Sequence, residues 1–127
     1  MQKTAQVVLN ALDCPEGELS ILLVDDLQIA KLNTKYLNRK GPTNVIAFPM
    51  RNGEFPNITP QLLGDIALSV ETAHKESKTA SISLEKRLYQ LMIHGILHLF
   101  GYDHEKSQKE SLLMETKSNE LLSLIQK

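Results

Sequence analysis

The feature that most constrains the fold is a long apolar segment, residues 88–100, that carries histidines at positions 94 and 98. Apolar side chains occur on nearly every side of this segment, which predicts a helix enclosed in the core rather than one on the surface. Ser83 is a suitable N-cap for this helix. Gly101 predicts its C-terminal end, because glycine adopts the left-handed conformation at little cost. We therefore expect the chain to fold around a buried central helix.

Three of the four histidines lie within residues 94–104. His94 and His98 are four residues apart, so on a helix they share one face. The turn predicted at Gly101 can bring His104 back toward them. Three imidazoles that converge on one point, with a fourth position left to water, are typical of a catalytic zinc site. We predict one zinc ion with His94, His98 and His104 as its ligands, although nickel or copper can bind such a set too.

The histidine spacing can be compared with the metzincin protease motif H-E-x-x-H-x-x-G-x-x-H. The three histidines and the glycine have the same offsets here, but Gly95 stands where those proteases have their general-base glutamate. A zinc site without that carboxylate favours a hydrolase whose substrate is not a peptide. A zinc metallopeptidase-like hydrolase remains an alternative, which a peptide assay would distinguish.

Residues 94–104 read His-Gly-Ile-Leu-His-Leu-Phe-Gly-Tyr-Asp-His, and this stretch resembles the complete signature of the YbeY family. Further matches in order and spacing extend the resemblance over about residues 18–125. They are Leu32-Asn33 followed by Tyr36, the run Pro42–Pro49, the run Leu63–Ile66, and Met114-Glu115.

The resemblance implies a metal-dependent endoribonuclease that is specific for single-stranded RNA. It implies a role in late ribosomal RNA maturation, at the 3′ end of the small-subunit RNA, and in ribosome biogenesis. The implied partners are ribosomal RNA or the ribosome, together with ribosome-associated proteins. A non-catalytic ribosome-assembly factor is a further alternative. Its zinc would be structural and would need a fourth protein ligand, such as His74 or Asp65.

Cleavage of RNA requires charge stabilisation at the phosphate. The YbeY family usually has an arginine directly after the tyrosine that corresponds to Tyr36, and Leu37 stands there in this chain. We predict that Arg39 takes the catalytic role, with Lys40 as the other candidate. Asp103 is the second residue predicted at the catalytic site, where it would either orient a ligand imidazole or cap the turn.

Positive charge is concentrated in one region, although the whole chain has a net charge of −1. No acidic residue occurs from position 27 to position 53. Lys31 and Lys35 are spaced to form a row with Arg39 on a helix. We predict that Lys31, Lys35 and Lys40 bind RNA phosphates, while a merely solvated helix face is the open alternative. Asn44 matches a family position in the substrate cleft and joins the predicted RNA-binding set.

Hydrophobic periodicity and turn residues predict an α+β fold with one domain over residues 1–127. We expect a mixed sheet of about four strands packed around the buried central helix, in a zincin- or metzincin-like arrangement. The predicted strands cover residues 18–24, 43–48 and 62–70, with 5–12 as a strand or a short helix. Residues 18–24 end in a uniformly apolar run and are expected to be largely buried on both faces. The other predicted helices cover residues 27–38, 71–78 and 107–125.

The compartment is predicted from what the chain lacks. Cys14 is the only cysteine, which fits a reducing environment because it cannot form an internal disulfide. The N-terminal residues have no signal-peptide core, and no apolar run has the length of a membrane span. We therefore expect a cytoplasmic protein with no membrane partner.

Overall fold

Five helices and a three-stranded sheet make up the residues that the computed structural model describes, which are 1–50, 62–102 and 107–125. The elements in chain order are α1 (Gln2–Ala11), β1 (Glu18–Val24), α2 (Asp26–Leu37), β2 (Val45–Pro49), β3 (Leu62–Ser69), α3 (Val70–Ala80), α4 (Leu84–Leu99) and α5 (Gln108–Ile125). The predicted α+β class is confirmed. The metzincin-like arrangement remains a prediction.

The expected sheet of about four strands is not found in the described residues, because the segment predicted as a strand or a short helix is helix α1. Its buried side chains are Ala5, Val8 and Leu9, and Leu12 packs against the same core. Positions 5, 8, 9 and 12 follow the i, i+3, i+4, i+7 pattern of one helix face. Burial of this helical face against the core therefore decides the element, and three strands remain.

The sheet has the strand order β1-β3-β2. β1 runs parallel to β3, with Leu22 opposite Ala67, and β2 runs antiparallel to β3. The expectation that β1 is buried on both faces is wrong, since Leu22 and Leu23 are 50% and 53% exposed. Within the described sheet β1 is an outer strand, so it is covered less well than β3.

The two faces of the sheet have different partners. On one face α2 packs through a small cluster of Ile29, Ile46 and Ala67. On the other face α4 contacts β2 and β3, and it also contacts α1, α3 and α5. Most of its residues from Leu91 to Leu99 are buried, which confirms the predicted central helix. None of the described helices combines the length and apolar character needed to cross a membrane.

A polar cluster joins the beginnings of α2 and α3. The hydroxyl groups of Ser69 and Thr72 both donate to Oδ1 of Asp26, each at 2.5 Å. The Lys75 ammonium lies 3.5 Å from Oδ2 of the same carboxylate. The hydrogen bond from Ser69, then that from Thr72, and then the charge of Lys75 hold the pKa of Asp26 below its usual value of 3.8.

Candidate metal centre and cleft

His94 and His98 lie on the same face of α4, as their spacing predicts. Their Nε2 atoms are 3.0 Å apart, and the ring planes meet at 73°. Both side chains are half-buried. Two imidazoles bound tetrahedrally to one zinc at about 2.0–2.1 Å would have their nitrogens about 3.3 Å apart. The observed pair is close to this geometry, so the two imidazoles fit a shared zinc ion.

The helix that carries the histidines ends at a glycine turn. The Gly101 N–H donates to the His98 carbonyl at 3.0 Å, and the Tyr102 N–H donates to the Leu97 carbonyl at 3.0 Å. Gly101 has a φ of 95°, so the turn has the Schellman hydrogen-bond pattern with its glycine in the left-handed region. The predicted helix end is confirmed. The chain therefore leaves the helix within three residues of His98.

The third predicted ligand, His104, and the neighbouring Asp103 lie outside the described residues, so both assignments remain predictions. Among the residues described, no three His, Cys, Asp or Glu side chains group closely enough to hold a metal ion. His74 and Asp65 are both exposed and are not grouped with the histidine pair. The structure therefore does not support either of them as a fourth ligand.

Gly95 is buried where α4 packs against β3. A Cβ atom placed on it would lie 2.9 Å from Cγ2 and 3.1 Å from Cδ1 of Ile66. These separations are shorter than normal carbon contacts of about 3.5–4.0 Å. A glutamate at this position would therefore require the buried Ile66 side chain, or the elements that carry the two residues, to shift. The close packing of α4 on Ile66 gives a structural reason for the missing carboxylate of the metzincin motif.

A cleft of about 500 Å³ opens beside the histidine pair, between α4, β2 and the segment that follows α2. It brings together four predicted site residues, namely Arg39, Asn44, His94 and His98. Its remaining described lining consists of Leu37, Thr43, Val45, Ile46, Ala47, Pro49 and Gly95. Within this lining Arg39 is the only permanently charged side chain. The described surface of the cleft is therefore suited to an anion.

The predicted lysines do not line this cleft. Lys31 and Lys35 are exposed on α2, and Lys40 is exposed in the loop that follows it. The row from Lys31 to Arg39 is not continuous, because α2 ends at Leu37 and Asn38 is left-handed with a φ of 53°. This turn takes Arg39 off the helix, and Arg39 becomes part of the cleft wall.

The loop that carries Arg39 is held against the end of α2 by hydrogen bonds. The Arg39 N–H donates to the Asn33 carbonyl at 3.2 Å, and its own carbonyl accepts from the Thr34 hydroxyl at 3.1 Å. The buried side chain of Asn33 donates to the Gly41 carbonyl at 3.0 Å. Both the N–H and the carbonyl group of Arg39 are therefore hydrogen-bonded, which fixes the point from which its long side chain extends.

Asn44 is oriented by two residues that the sequence did not suggest, Glu76 and Arg87. The Asn44 amide nitrogen lies 3.2 Å from each carboxylate oxygen of Glu76. Arg87 binds the same carboxylate, with 3.0 Å between its terminal nitrogen and Oε1. Arg87 also donates to Gln90, one turn before His94, at 2.9 Å. No motif in the sequence marks Glu76 or Arg87, and their partial burial is visible only in the structure.

The fold and this cleft define an α+β protein with a histidine pair placed beside a cationic pocket. Comparison with known proteins identifies its family. Residues 1–126 match the family model described as Endoribonuclease YbeY. An Endoribonuclease YbeY from Syntrophotalea carbinolica is 44% identical over 126 residues, which cover 98% of this chain and 84% of that protein. One from Geobacter sulfurreducens is 42% identical over 127 residues, which cover 99% and 85%.

A solved structure supports the same relationship. The solution structure of a Thermotoga maritima protein superposes with a TM-score of 0.70 at 25% identity, and it covers 98% of this chain and 77% of that one. The chain belongs to the YbeY endoribonuclease family. The resemblance noted in the sequence is thereby confirmed, and with it the predicted enzyme class, a nuclease.

Proposed function

We propose that this chain is a zinc-dependent endoribonuclease that cleaves single-stranded RNA in the cleft beside His94 and His98. The observation that carries the proposal is the joint presence of the histidine pair, Arg39 and Asn44 around one cleft. We further propose that the substrate is ribosomal RNA, at the 3′ end of the small-subunit RNA, and that the protein acts in ribosome biogenesis in the cytoplasm.

The proposed metal ligands are His94, His98 and His104. The closeness of the first two Nε2 atoms, 3.0 Å, and the preference of zinc for imidazole nitrogen support this set. A zinc ion held by His94, His98 and His104 would supply Lewis-acid chemistry, by making water more acidic and by polarising a phosphoryl oxygen. Helix α4 is buried around the two histidines, so their side chains are positioned by a rigid element. Asp103 is proposed to orient one of the imidazoles.

Arg39 is the proposed electrophilic group. Its guanidinium would donate hydrogen bonds to the phosphate oxygens and stabilise the negative charge that develops during cleavage. Leu37, which occupies the position of the family arginine, lines the same cleft. An arginine two residues further on can therefore reach the same region, and this supports a compensating role for Arg39.

Asn44 is the proposed positioning group for the RNA strand. Glu76 accepts hydrogen bonds from its amide nitrogen, which fixes the plane of the amide. The carbonyl oxygen is then left to accept a hydrogen bond from a ribose hydroxyl or a base amino group. Lys31, Lys35 and Lys40 would add phosphate contacts outside the cleft, so RNA affinity should fall as salt concentration rises.

The structure supports neither of the two alternatives. A metallopeptidase needs a carboxylate near the metal, and packing against Ile66 disfavours a side chain at position 95. A structural zinc site needs four protein ligands, and His74 and Asp65 are not grouped with the histidine pair.

The proposal can be tested by cleavage of an RNA that carries the 3′ end of the small-subunit RNA, with zinc content measured on the same samples. We expect His98→Ala to lose both zinc and cleavage. Arg39→Ala should retain zinc but cleave about 100-fold more slowly, the usual effect of removing one electrostatic donor. Lys109→Ala, which removes an exposed charge on α5, is the matched control and should retain both. A wild-type protein that contains zinc and leaves RNA intact would contradict the proposal.

A further inference from the structure

Tyr36 is an aromatic side chain that the proposed mechanism does not use. The residue is 57% exposed, although its ring packs edge-on against Phe48 with 5.4 Å between the ring centres and 71° between the planes. This contact restrains the ring while leaving much of its surface accessible. An exposed and restrained aromatic ring is what a planar ligand requires for stacking.

The position of Tyr36 relates it to the cleft. Phe48 packs with the α2 side of the sheet, whereas Val45 and Ala47 pack with the α4 side. Tyr36 therefore lies across β2 from the histidines. Its neighbour Leu37 lines the cleft, and so does Pro49, the neighbour of Phe48. An RNA strand that is bound in the cleft and continues over β2 would reach Tyr36.

The surroundings of Tyr36 carry positive charge. The Lys35 ammonium lies over the ring, 5.2 Å from its centre, and Lys35 is exposed. From position 27 to position 50 the chain has no acidic residue. An aromatic face beside a cation is a combination with which proteins bind single-stranded nucleic acid, because bases stack on the ring while phosphates contact the cation.

We propose that Tyr36 is a stacking platform for one unpaired base of the RNA strand, and that Lys35 contacts a phosphate next to that base. This inference rests on the proposed function, since it assumes that RNA occupies the cleft. Because β2 separates the tyrosine from the histidines, the stacked base belongs to a different nucleotide from the one at the histidine pair. Stacking requires an unpaired base, so the platform would also favour single strands over duplexes.

The first test compares Tyr36→Ala, Tyr36→Phe and wild type in cleavage of a short single-stranded RNA. Loss of one base–aromatic stack weakens binding about 5- to 100-fold. We expect Tyr36→Ala to raise KM by such a factor with little change in kcat, and Tyr36→Phe to stay within about two-fold of wild type because the ring is retained. Leu27→Ala is the matched control, since Leu27 is 65% exposed at the other end of α2.

A second test separates stacking from a folding defect. RNAs with one abasic residue at successive positions are compared on wild type and Tyr36→Ala. At one position the abasic residue should weaken RNA binding by the wild type as much as Tyr36→Ala does. The same abasic RNA should bind Tyr36→Ala no more weakly than the intact RNA does. Since the chain contains no tryptophan, Tyr36→Trp provides a single reporter, whose fluorescence should be quenched by the RNA but not by its duplex form.

The outcomes distinguish this inference from the function on which it rests. If Tyr36→Ala has a wild-type KM while cleavage still depends on His98, the stacking platform is wrong and the proposed function stands. An equal loss for Tyr36→Phe and Tyr36→Ala would also overturn it, because the ring would not be the feature that matters. If wild type neither binds nor cleaves single-stranded RNA, the proposed function and the platform both fail.

Discussion

Replacing Gly95 with alanine tests whether packing explains the missing glutamate of the metzincin motif. The added methyl group would lie 2.9, 3.1 and 3.3 Å from Cγ2, Cδ1 and Cγ1 of Ile66. Overpacking of this kind costs about 1–3 kcal/mol, whereas the better helix propensity of alanine returns at most about 1 kcal/mol. We expect a net loss of about 1 kcal/mol in the free energy of unfolding.

The assay is urea and thermal unfolding followed by circular dichroism. A loss of this size should lower the thermal midpoint by about 4 °C in a chain of this length. Ile66→Ala removes the three close atoms and, as a core truncation, should cost about 2–5 kcal/mol by itself. In the double variant Gly95→Ala/Ile66→Ala the added methyl group has room. Its loss of stability should therefore be smaller by about 1 kcal/mol than the sum of the losses in the two single variants.

Two results would refute this reasoning. One is a double variant whose losses are additive, and the other is a Gly95→Ala variant that is more stable than wild type. In either case Ile66 would not be what excludes a side chain at position 95. Gly95→Glu, which restores the protease motif, should be still less stable and should show no zinc-dependent peptidase activity, because its carboxylate would have to enter a packed apolar contact.

Three further perturbations address the supports of the cleft and the polar cluster. Asn33→Ala leaves the Gly41 carbonyl without its donor, so we expect a loss of about 1–3 kcal/mol in stability and slower RNA cleavage at unchanged zinc content. Glu76→Ala removes the carboxylate shared by Asn44 and Arg87 and should raise KM for RNA. Glu76→Gln can still accept a hydrogen bond, so its KM should lie between those of Glu76→Ala and wild type. An unchanged KM in both variants would argue against the positioning role. Asp26 has a lowered pKa in the folded protein, so its contribution to stability is present above pH 3.8 and is lost as the pH falls below it. Asp26→Asn should therefore make the free energy of unfolding less dependent on pH in this acidic range. An unchanged pH profile would contradict the stabilising role of the Asp26 carboxylate.

The parts of the site that the sequence predicts are those governed by local geometry. Two histidines four residues apart share a helix face whatever surrounds the helix, and His94 and His98 meet as expected. Caps are equally local. Ser83 accepts a hydrogen bond from the Lys86 N–H, and Gly101 closes the helix.

Where a sequence pattern is compatible with two kinds of structure, only the tertiary fold distinguishes between them. The segment at residues 5–12 is short and apolar, so its periodicity alone could not separate a strand from a helix. Burial of Ala5, Val8 and Leu9 against the core settles it as α1. The apolar run at the end of β1 indicated a buried strand, yet its place at the edge of the described sheet leaves Leu22 and Leu23 exposed.

By itself the sequence determined the family, through motifs matched along the chain. It also determined the central helix and the histidine pair, because both depend on residues close together in the chain. Only the tertiary structure decided that Arg39 and Asn44 join the histidines while Lys31 and Lys35 do not. It also showed that Glu76 and Arg87 orient Asn44. These contacts join separate elements, and their partners depend on how α2, α3 and α4 pack around the sheet. No periodicity or spacing within one segment contains that information.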